Sequence, residues 1–245
     1  MRRFGIIGNP LEHSYSSRYF SEKFHDEHIR DTVYEPYLLG SIEQLPDLLN
    51  RFPDIQGLNV TIPFKENIIP FLDKIDKEAE EIGSVNTIKV TEGKLTGFNT
   101  DAPAFGQTIE SIKSKVQKAL VLGTGGSSKA ICYTLERLAI GYLLCSRSPD
   151  HNKISYGMLN QEIISECNLI INATPLGMYP DVQSSPDIPY EHIGAEHILY
   201  DLIYNPPETK FISQGKQNGA MTINGLKMFK LQADLSWNIW SPISQ

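Results

Sequence analysis

Residues 119–128 read ALVLGTGGSS, and this short stretch limits the possible folds more than any other in the chain. Ala119 to Leu122 form an apolar run of strand length, broken at once by glycines at 123, 125 and 126. A helical apolar pattern over residues 127–138 follows without an intervening loop. Strand, tight glycine turn and helix together open a βαβ unit. Such a unit commits the chain to a parallel sheet with helices packed on it.

The rest of the chain fits that commitment. Strands are expected at Arg3–Ile7, Thr32–Leu38, Gly57–Ile62, Asn86–Val90, Ala119–Leu122, Gly141–Leu144, Asn168–Asn172, His197–Asp201 and Met221–Ile223. Helical patterns lie between them, at Ser17–His28, Ile42–Asn50, Lys74–Ile82, Ala102–Ile112, Ser127–Leu138 and Pro207–Gln214. The last helix, Gly225–Trp240, spaces Leu226, Phe229, Ala233, Trp237 and Trp240 along one face. The fold class is therefore α/β. A boundary is expected after Asp101, where a new strand–turn–helix unit begins. The expected division is 1–101 with 225–245, and 102–224, which holds the glycine turn and a parallel sheet. The final helix returns to the first domain because its apolar face needs a partner outside a completed sheet.

At 245 residues and 40% hydrophobic, the chain is long enough for two such cores. Its net charge of −7 lacks the electrostatic footprint of a nucleic-acid binder. No apolar run reaches the length of a signal-peptide core or a membrane span. The three cysteines, Cys132, Cys145 and Cys167, share no metal-like spacing and read as reduced thiols of a cytoplasmic protein. The histidines pair without third ligands, so no metal is expected. A protein that handles small molecules fits best, as a monomer or a homodimer, between which the sequence does not choose.

In the glycine loop, Gly123 permits the tight turn and Gly125 allows close approach to a pyrophosphate. Thr124, Gly126 and Ser127 lead into the helix N-terminus, whose free N–H groups attract anions. Ser128 stands where a third glycine is usual. About 20 residues on, where an NAD site presents an acidic residue to the ribose, the chain has Ser146-Arg147-Ser148. A planar guanidinium there welcomes a 2′-phosphate, which favours NADP over NAD.

Four polar runs sit at strand ends in the first hundred residues: GNPLEHSYS (8–16), NVTIPFK (59–65), GSVNT (83–87) and GFNTD (97–101). Each alone reads as an ordinary turn. Together they collect hydroxyls, amides, Lys65 and Asp101 where open α/β sheets bind small polar ligands. A polyhydroxylated acid suits them. Lys65, by itself, is equally a solvated charge at a strand end or a proton donor.

These runs, followed in order by GTGGSS, NATPLGM (172–178), DLIYNP (201–206) and NGLKMFKLQA (224–233), resemble the NADP-dependent shikimate dehydrogenase family over nearly the whole chain. The resemblance implies a substrate domain with a mixed sheet and a Rossmann-like NADP-binding domain with a parallel sheet. It implies reversible reduction of 3-dehydroshikimate to shikimate, on the route to chorismate and the aromatic amino acids. It implies that Ser14 and Ser16 hold the substrate carboxylate, with Tyr204 assisting. It further implies that Thr61, Asn86, Asp101 and Gln232 hold ring hydroxyls, and that Lys65 is the acid/base lysine with Asp101 beside it in the catalytic pair. Gly123 to Ser127 match the pyrophosphate loop, Ser146 to Ser148 the 2′-phosphate segment, and Leu202 and Gly225 the nicotinamide contacts. Three departures stand out. Ser17-Arg-Tyr-Phe-Ser21 replaces the family's Pro-x-x-His-Asn, and Ser146-Arg147-Ser148 replaces Asn-Arg-Thr. Pro149–Glu166 is short for a full Rossmann half, so one crossover is expected to be trimmed. The competing readings are a quinate/shikimate dehydrogenase paralogue, methylenetetrahydrofolate dehydrogenase and a non-catalytic nucleotide sensor. The first typically carries an acidic residue where Arg147 sits. The second has no need of Ser14 and Ser16, nor the third of Lys65 with Asp101.

Overall fold

The computed structural model describes residues 1–12 and 14–241 and divides into two compact units. The first comprises Met1–Thr100 and the chain from Gln232 onwards; the second is Asp101–Leu231. The sequence places the cuts after 101 and after 224, and residues 242–245 of its last segment lie outside the described residues. The later cut follows from the partners of the last helix. Phe229 packs on Tyr204, within the second unit, whereas Ala233, Trp237 and Trp240 join a core of the first.

The first unit runs β1 (Arg2–Gly8), α1 (Ser16–Asp26), β2 (Thr32–Leu38), α2 (Leu45–Arg51), β3 (Ile55–Val60), β4 (Lys74–Ile75), α3 (Lys77–Ile82), β5 (Thr87–Thr91) and β6 (Lys94–Phe98). Its sheet has the order β2-β1-β3-β5-β6-β4. β1 is parallel to β2 and β3, and β5 is antiparallel to both of its neighbours, so the sheet is mixed. Alternation along β1 feeds two cores: Phe4 and Ile6 pack with the aromatic residues of α1 and the end of the last helix, and Ile7 packs with Leu45, Leu58 and Ile88 on the other face.

Two local expectations change. Lys74 and Ile75 pair with β6 instead of opening a helix, and α3 begins only after Asp76, whose carboxylate accepts the Glu78 N–H at 3.0 Å. β6 itself is absent from the expected strands. It is reached by a two-residue turn at Glu92-Gly93, with φ of 51° and 74°, the left-handed pair that matches hairpin twist.

The second unit runs α4 (Asp101–Ile109), β7 (Lys118–Leu122), α5 (Gly126–Arg137), β8 (Gly141–Ser146), β9 (Ile154–Ser155), α6 (Gln161–Glu166), β10 (Leu169–Asn172), β11 (Ile198–Asp201), α7 (Lys210–Gln217) and β12 (Met221–Ile223). α8 (Leu226–Trp240) follows and carries the second cut. All pairings in this sheet are parallel, in the order β12-β11-β10-β7-β8-β9. Counted from β7, that is the 3-2-1-4-5-6 order of dinucleotide-binding sheets. The connection from β8 to β9 contains no helix, and β9 has only two residues, so one crossover is trimmed. α6, also absent from the expected elements, is a six-residue helix capped by the Asn160 carboxamide on the Ile163 N–H. One face of the sheet buries Leu120, Leu122, Ile170 and Leu199 against Phe211 and Ile212. On the other, Tyr200 packs edge-on to Phe105 and shares a 2.8 Å hydrogen bond with Thr108 of α4.

Candidate active site

At the carboxyl ends of β1 and β3, backbone hydrogen bonds draw the polar runs of the first unit together. The Thr61 N–H donates to Ile7 O and the Asn9 N–H to Ile62 O, joining GNP to VTIP. The Val60 N–H donates to Asn86 O, and the Val85 N–H to Lys65 O at 2.8 Å, joining that strand end to GSVNT. The Asn86 N–H donates to Phe98 O and Asn99 Nδ2 to Ser84 O, which adds GFNT. Because β5 is antiparallel and β6 turns back beside it, Thr87 and Phe98 are paired at this same end of the sheet. Lys65 and Thr61 are both half-buried here. β3 ends at Val60, two residues short of the expected Ile62, because Thr61 to Phe64 form a turn in which the Phe64 N–H bonds Thr61 O.

Ser14 and Ser16 also come together. The Ser16 N–H, at the first residue of α1, lies 3.4 Å from Ser14 Oγ; Ser16 is buried and Ser14 half-buried. Gln232 reaches Asn86, its Oε1 3.4 Å from Asn86 Nδ2.

Asn86 does not stand alone. Its Oδ1 accepts the Thr100 N–H at 2.7 Å, and its Nδ2 donates to Thr100 Oγ1 at 2.8 Å. Thr87 Oγ1 lies 2.7 Å from Ser236 Oγ, and Asn59 Nδ2 donates to Ser236 at 3.0 Å. Tyr34 OH completes the set by donating to Asn59 Oδ1 at 2.8 Å. All of these except Gln232 are buried. A satisfied buried network holds its members in fixed rotamers, so Asn59, Thr87, Thr100 and Ser236 orient Asn86 and Gln232. Sequence reasoning missed these four. One signal was available: Ser236 is four residues after Gln232, on the same helical face.

In the second unit, Gly123 has φ of 101°, and a Cβ there would lie 3.0 Å from Thr174 Cγ2 and 3.1 Å from Ala173 O. Only glycine fits this turn without strain. A Cβ on Gly125 would meet nothing within 4 Å, so the protein leaves space beside the start of α5. α5 starts from Gly125, an N-cap without a side chain, and a helix start of this kind attracts anions through its backbone N–H groups and its dipole. Thr124 is exposed, and Gly126 and Ser127 are half-buried in the first turn. Ser128 is the buried small residue of the motif, its Oγ donating to Gly123 O at 2.6 Å.

After β8, Ser146 is buried and its Oγ accepts the Ser148 N–H at 3.0 Å, while Arg147 is exposed. His151 and Lys153 are the next basic residues after Arg147, and the lysine is held by Asp150 at 2.8 Å. These features fit a 2′-phosphorylated dinucleotide: an open glycine turn, a helix start with a glycine N-cap and an exposed arginine at the neighbouring strand end. A hollow of about 460 Å³ between Tyr142–Leu144 and Pro149–Ile154 is lined by none of the expected site residues. Leu202 is half-buried, and Gly225 is buried so tightly against Leu202 O that no Cβ fits. Tyr204 packs on Phe229 with ring centroids 4.4 Å apart and the rings tilted by 32°.

Residues 6–88 match the family described as the shikimate dehydrogenase substrate binding domain. A shikimate dehydrogenase (NADP(+)) of Methanococcus aeolicus is 37% identical, across 98% of this chain and 91% of its own. The crystal structure of shikimate dehydrogenase 1 from Peptoclostridium difficile superposes with a TM-score of 0.86 at 36% identity, covering 100% of this chain and 94% of that one. The shikimate 5-dehydrogenase of Thermus thermophilus in complex with NADP(H) and shikimate gives 0.87 at 31% identity, covering 99% and 94%.

Proposed function

This chain belongs to the shikimate dehydrogenase family, and from that premise we propose that it reversibly reduces 3-dehydroshikimate to shikimate with NADPH. The observation that carries the reading is the convergence of NVTIPFK, GSVNT and GFNT at one end of the first sheet, with Lys65 tied by its carbonyl to Val85.

In this reading the first unit binds the substrate and the second the cofactor. Ser14 and Ser16 take the carboxylate with help from Tyr204, and Thr61, Asn86, Gln232 and Asp101 take the ring hydroxyls. When bound, NADPH supplies the hydride to the ring carbonyl. Gly123 to Ser127 hold its pyrophosphate, Ser146, Arg147 and Ser148 its 2′-phosphate, and Leu202 and Gly225 flank its nicotinamide. Negative charge grows on the carbonyl oxygen as the hydride arrives, and the Lys65 ammonium delivers the proton there. In the reverse direction the Lys65 amine accepts it. Asp101, a buried carboxylate at the start of α4, completes the catalytic pair.

Buried, unpaired cysteines fit a reducing cytoplasm, and the acidic surface fits a partner set without nucleic acid. The chain works as a monomer or a homodimer. Absorbance of reduced nicotinamide, followed with shikimate and NADP⁺, tests the activity directly. Lys65→Ala is expected to lower turnover by roughly 10²–10⁴-fold, the usual contribution of a general acid. A loss below about tenfold removes Lys65 from that role.

A further inference from the structure

Asn172 closes β10 and Asp201 closes β11, facing one another in the parallel register of the second sheet. Neither has any exposed surface. Asn172 Nδ2 donates to Asp201 Oδ1 at 3.0 Å, and the same oxygen accepts the Ile203 N–H at 3.0 Å. The other oxygen, Oδ2, accepts Thr209 Oγ1 at 2.5 Å. On its far side, Asn172 Oδ1 accepts both the N–H and the hydroxyl of Thr174, at 3.1 and 2.6 Å. Thr174 in turn is the side chain against which Gly123 makes its left-handed turn.

These contacts join two places that the proposed function uses separately. From the pyrophosphate turn the path runs Gly123, Thr174, Asn172, Asp201, Ile203. Ile203 O then accepts the Gly225 N–H at 3.0 Å, and Leu202 O occupies the space where a Cβ on Gly225 would stand. Three donors converge on the Asp201 carboxylate, which has no donor of its own to offer. An amide in its place turns one acceptor into an NH₂ facing Asn172 Nδ2 or Thr209. A fully buried carboxylate is a costly way to hold a turn. What it provides is a set of acceptors that holds all three donors at once.

We infer that Asp201, carried by Asn172 and Thr209, is a positioning residue that fixes Leu202 and Gly225 relative to the glycine loop. It thereby sets where the nicotinamide end of the cofactor lies. This inference rests on the NADP reading of the second unit. Asp201 touches neither cofactor nor substrate in this role, and it leaves the phosphate-binding limb alone.

The test separates the two ends of the cofactor, using turnover of shikimate with NADP⁺ and binding of 2′,5′-ADP, which lacks nicotinamide. Asp201→Asn is expected to lower kcat at least tenfold while 2′,5′-ADP affinity stays within twofold. Thr209→Val is expected to give the same split more weakly, and Thr209→Ser to restore wild-type turnover. If Asp201→Asn does not fold, the two Thr209 variants decide alone. Turnover within threefold of wild type in folded Asp201→Asn and Thr209→Val overturns the inference. So does a loss of 2′,5′-ADP binding in step with kcat, which marks a general loosening of the unit. A wild-type chain inactive with shikimate and NADP⁺ overturns the functional reading and this inference with it. An active wild type whose variants show no split overturns this inference alone.

Discussion

An arginine at the end of β8 presents a planar fork of donors beside a turn that Ser146 already holds, so the proposed NADP site rests its cofactor choice on one exposed side chain. Replacing it with aspartate removes a charge-assisted pair and places a carboxylate where NAD sites carry one. Arg147→Asp should lower kcat/KM for NADP⁺ by roughly 10- to 100-fold, the equivalent of a charged hydrogen bond, and raise it for NAD⁺. An unchanged ratio of the two cofactors would remove Arg147 from the phosphate site. Asp201 makes a different residue-scale statement. Burial pushes its carboxyl up to about 6, against the pull of Thr209, Ile203 and Asn172. A carboxyl raised on folding binds its proton more tightly in the native state. Its contribution to stability is therefore full below the unfolded value near 3.9 and is lost as pH rises through about 6. Wild type should gain stability relative to Asp201→Asn between pH 7.5 and pH 4, by up to about 3 kcal/mol. Urea unfolding of both proteins across that range measures it, and a pH-independent difference contradicts the assignment.

Elements were legible wherever their apolar pattern was long enough to carry a period. The expected strand Thr32–Leu38 matches β2 at both ends, and Met221–Ile223 matches β12. β9 has two residues and α6 only six, too few for any period to register. β6 was hidden by Gly97 in its interior and by polar Lys94 and Thr96. The candidate site divides the same way. The glycine loop announces itself by residue type, whereas Lys65 does so only beside the other polar runs. Thr87 and Ser236 do not, since a buried hydroxyl network is written in ordinary polar letters whose meaning is three-dimensional. α8 shows a close fit that sequence could only outline. The Trp240 indole stacks on Phe4 at 5.1 Å, donates to Ile88 O at 2.8 Å, and occupies the space where a Cβ on Gly57 would stand. Gly57→Ala forces the indole off β3 and breaks that bond. Overpacking and the lost bond together should cost about 2 kcal/mol or more. Urea titration reads the loss, and a variant within about 0.5 kcal/mol of wild type, the range of an inconsequential substitution, would show that the helix end repacks freely.

On the scale of the whole molecule, the chain carries its own pair of reporters. Both tryptophans, Trp237 and Trp240, lie in the aromatic core of the first unit. All three cysteines lie in the second, buried and unpaired. Burial pushes the Cys132 and Cys167 thiols up to about 11 and Cys145 up to about 12, so none is reactive at neutral pH until its surroundings open. Indole fluorescence therefore follows one unit, and thiol labelling in urea follows the other. A ligand stabilises what it binds by RT ln(1 + [L]/Kd), about 2.7 kcal/mol at a hundredfold excess over Kd. With urea slopes of about 1–3 kcal/mol/M, that moves a midpoint by roughly 1–3 M. NADP⁺ should move the thiol midpoint by that amount and the indole midpoint by less, and shikimate should do the reverse. The asymmetry follows from the assignment of substrate to the first unit and cofactor to the second, each with a hydrophobic core of its own. If each ligand moves both midpoints equally, the two cores unfold as one, and ligand binding is no longer evidence for which unit holds which molecule. If the pattern is crossed, with NADP⁺ protecting the indoles and shikimate the thiols, the assignment of ligands to units is reversed.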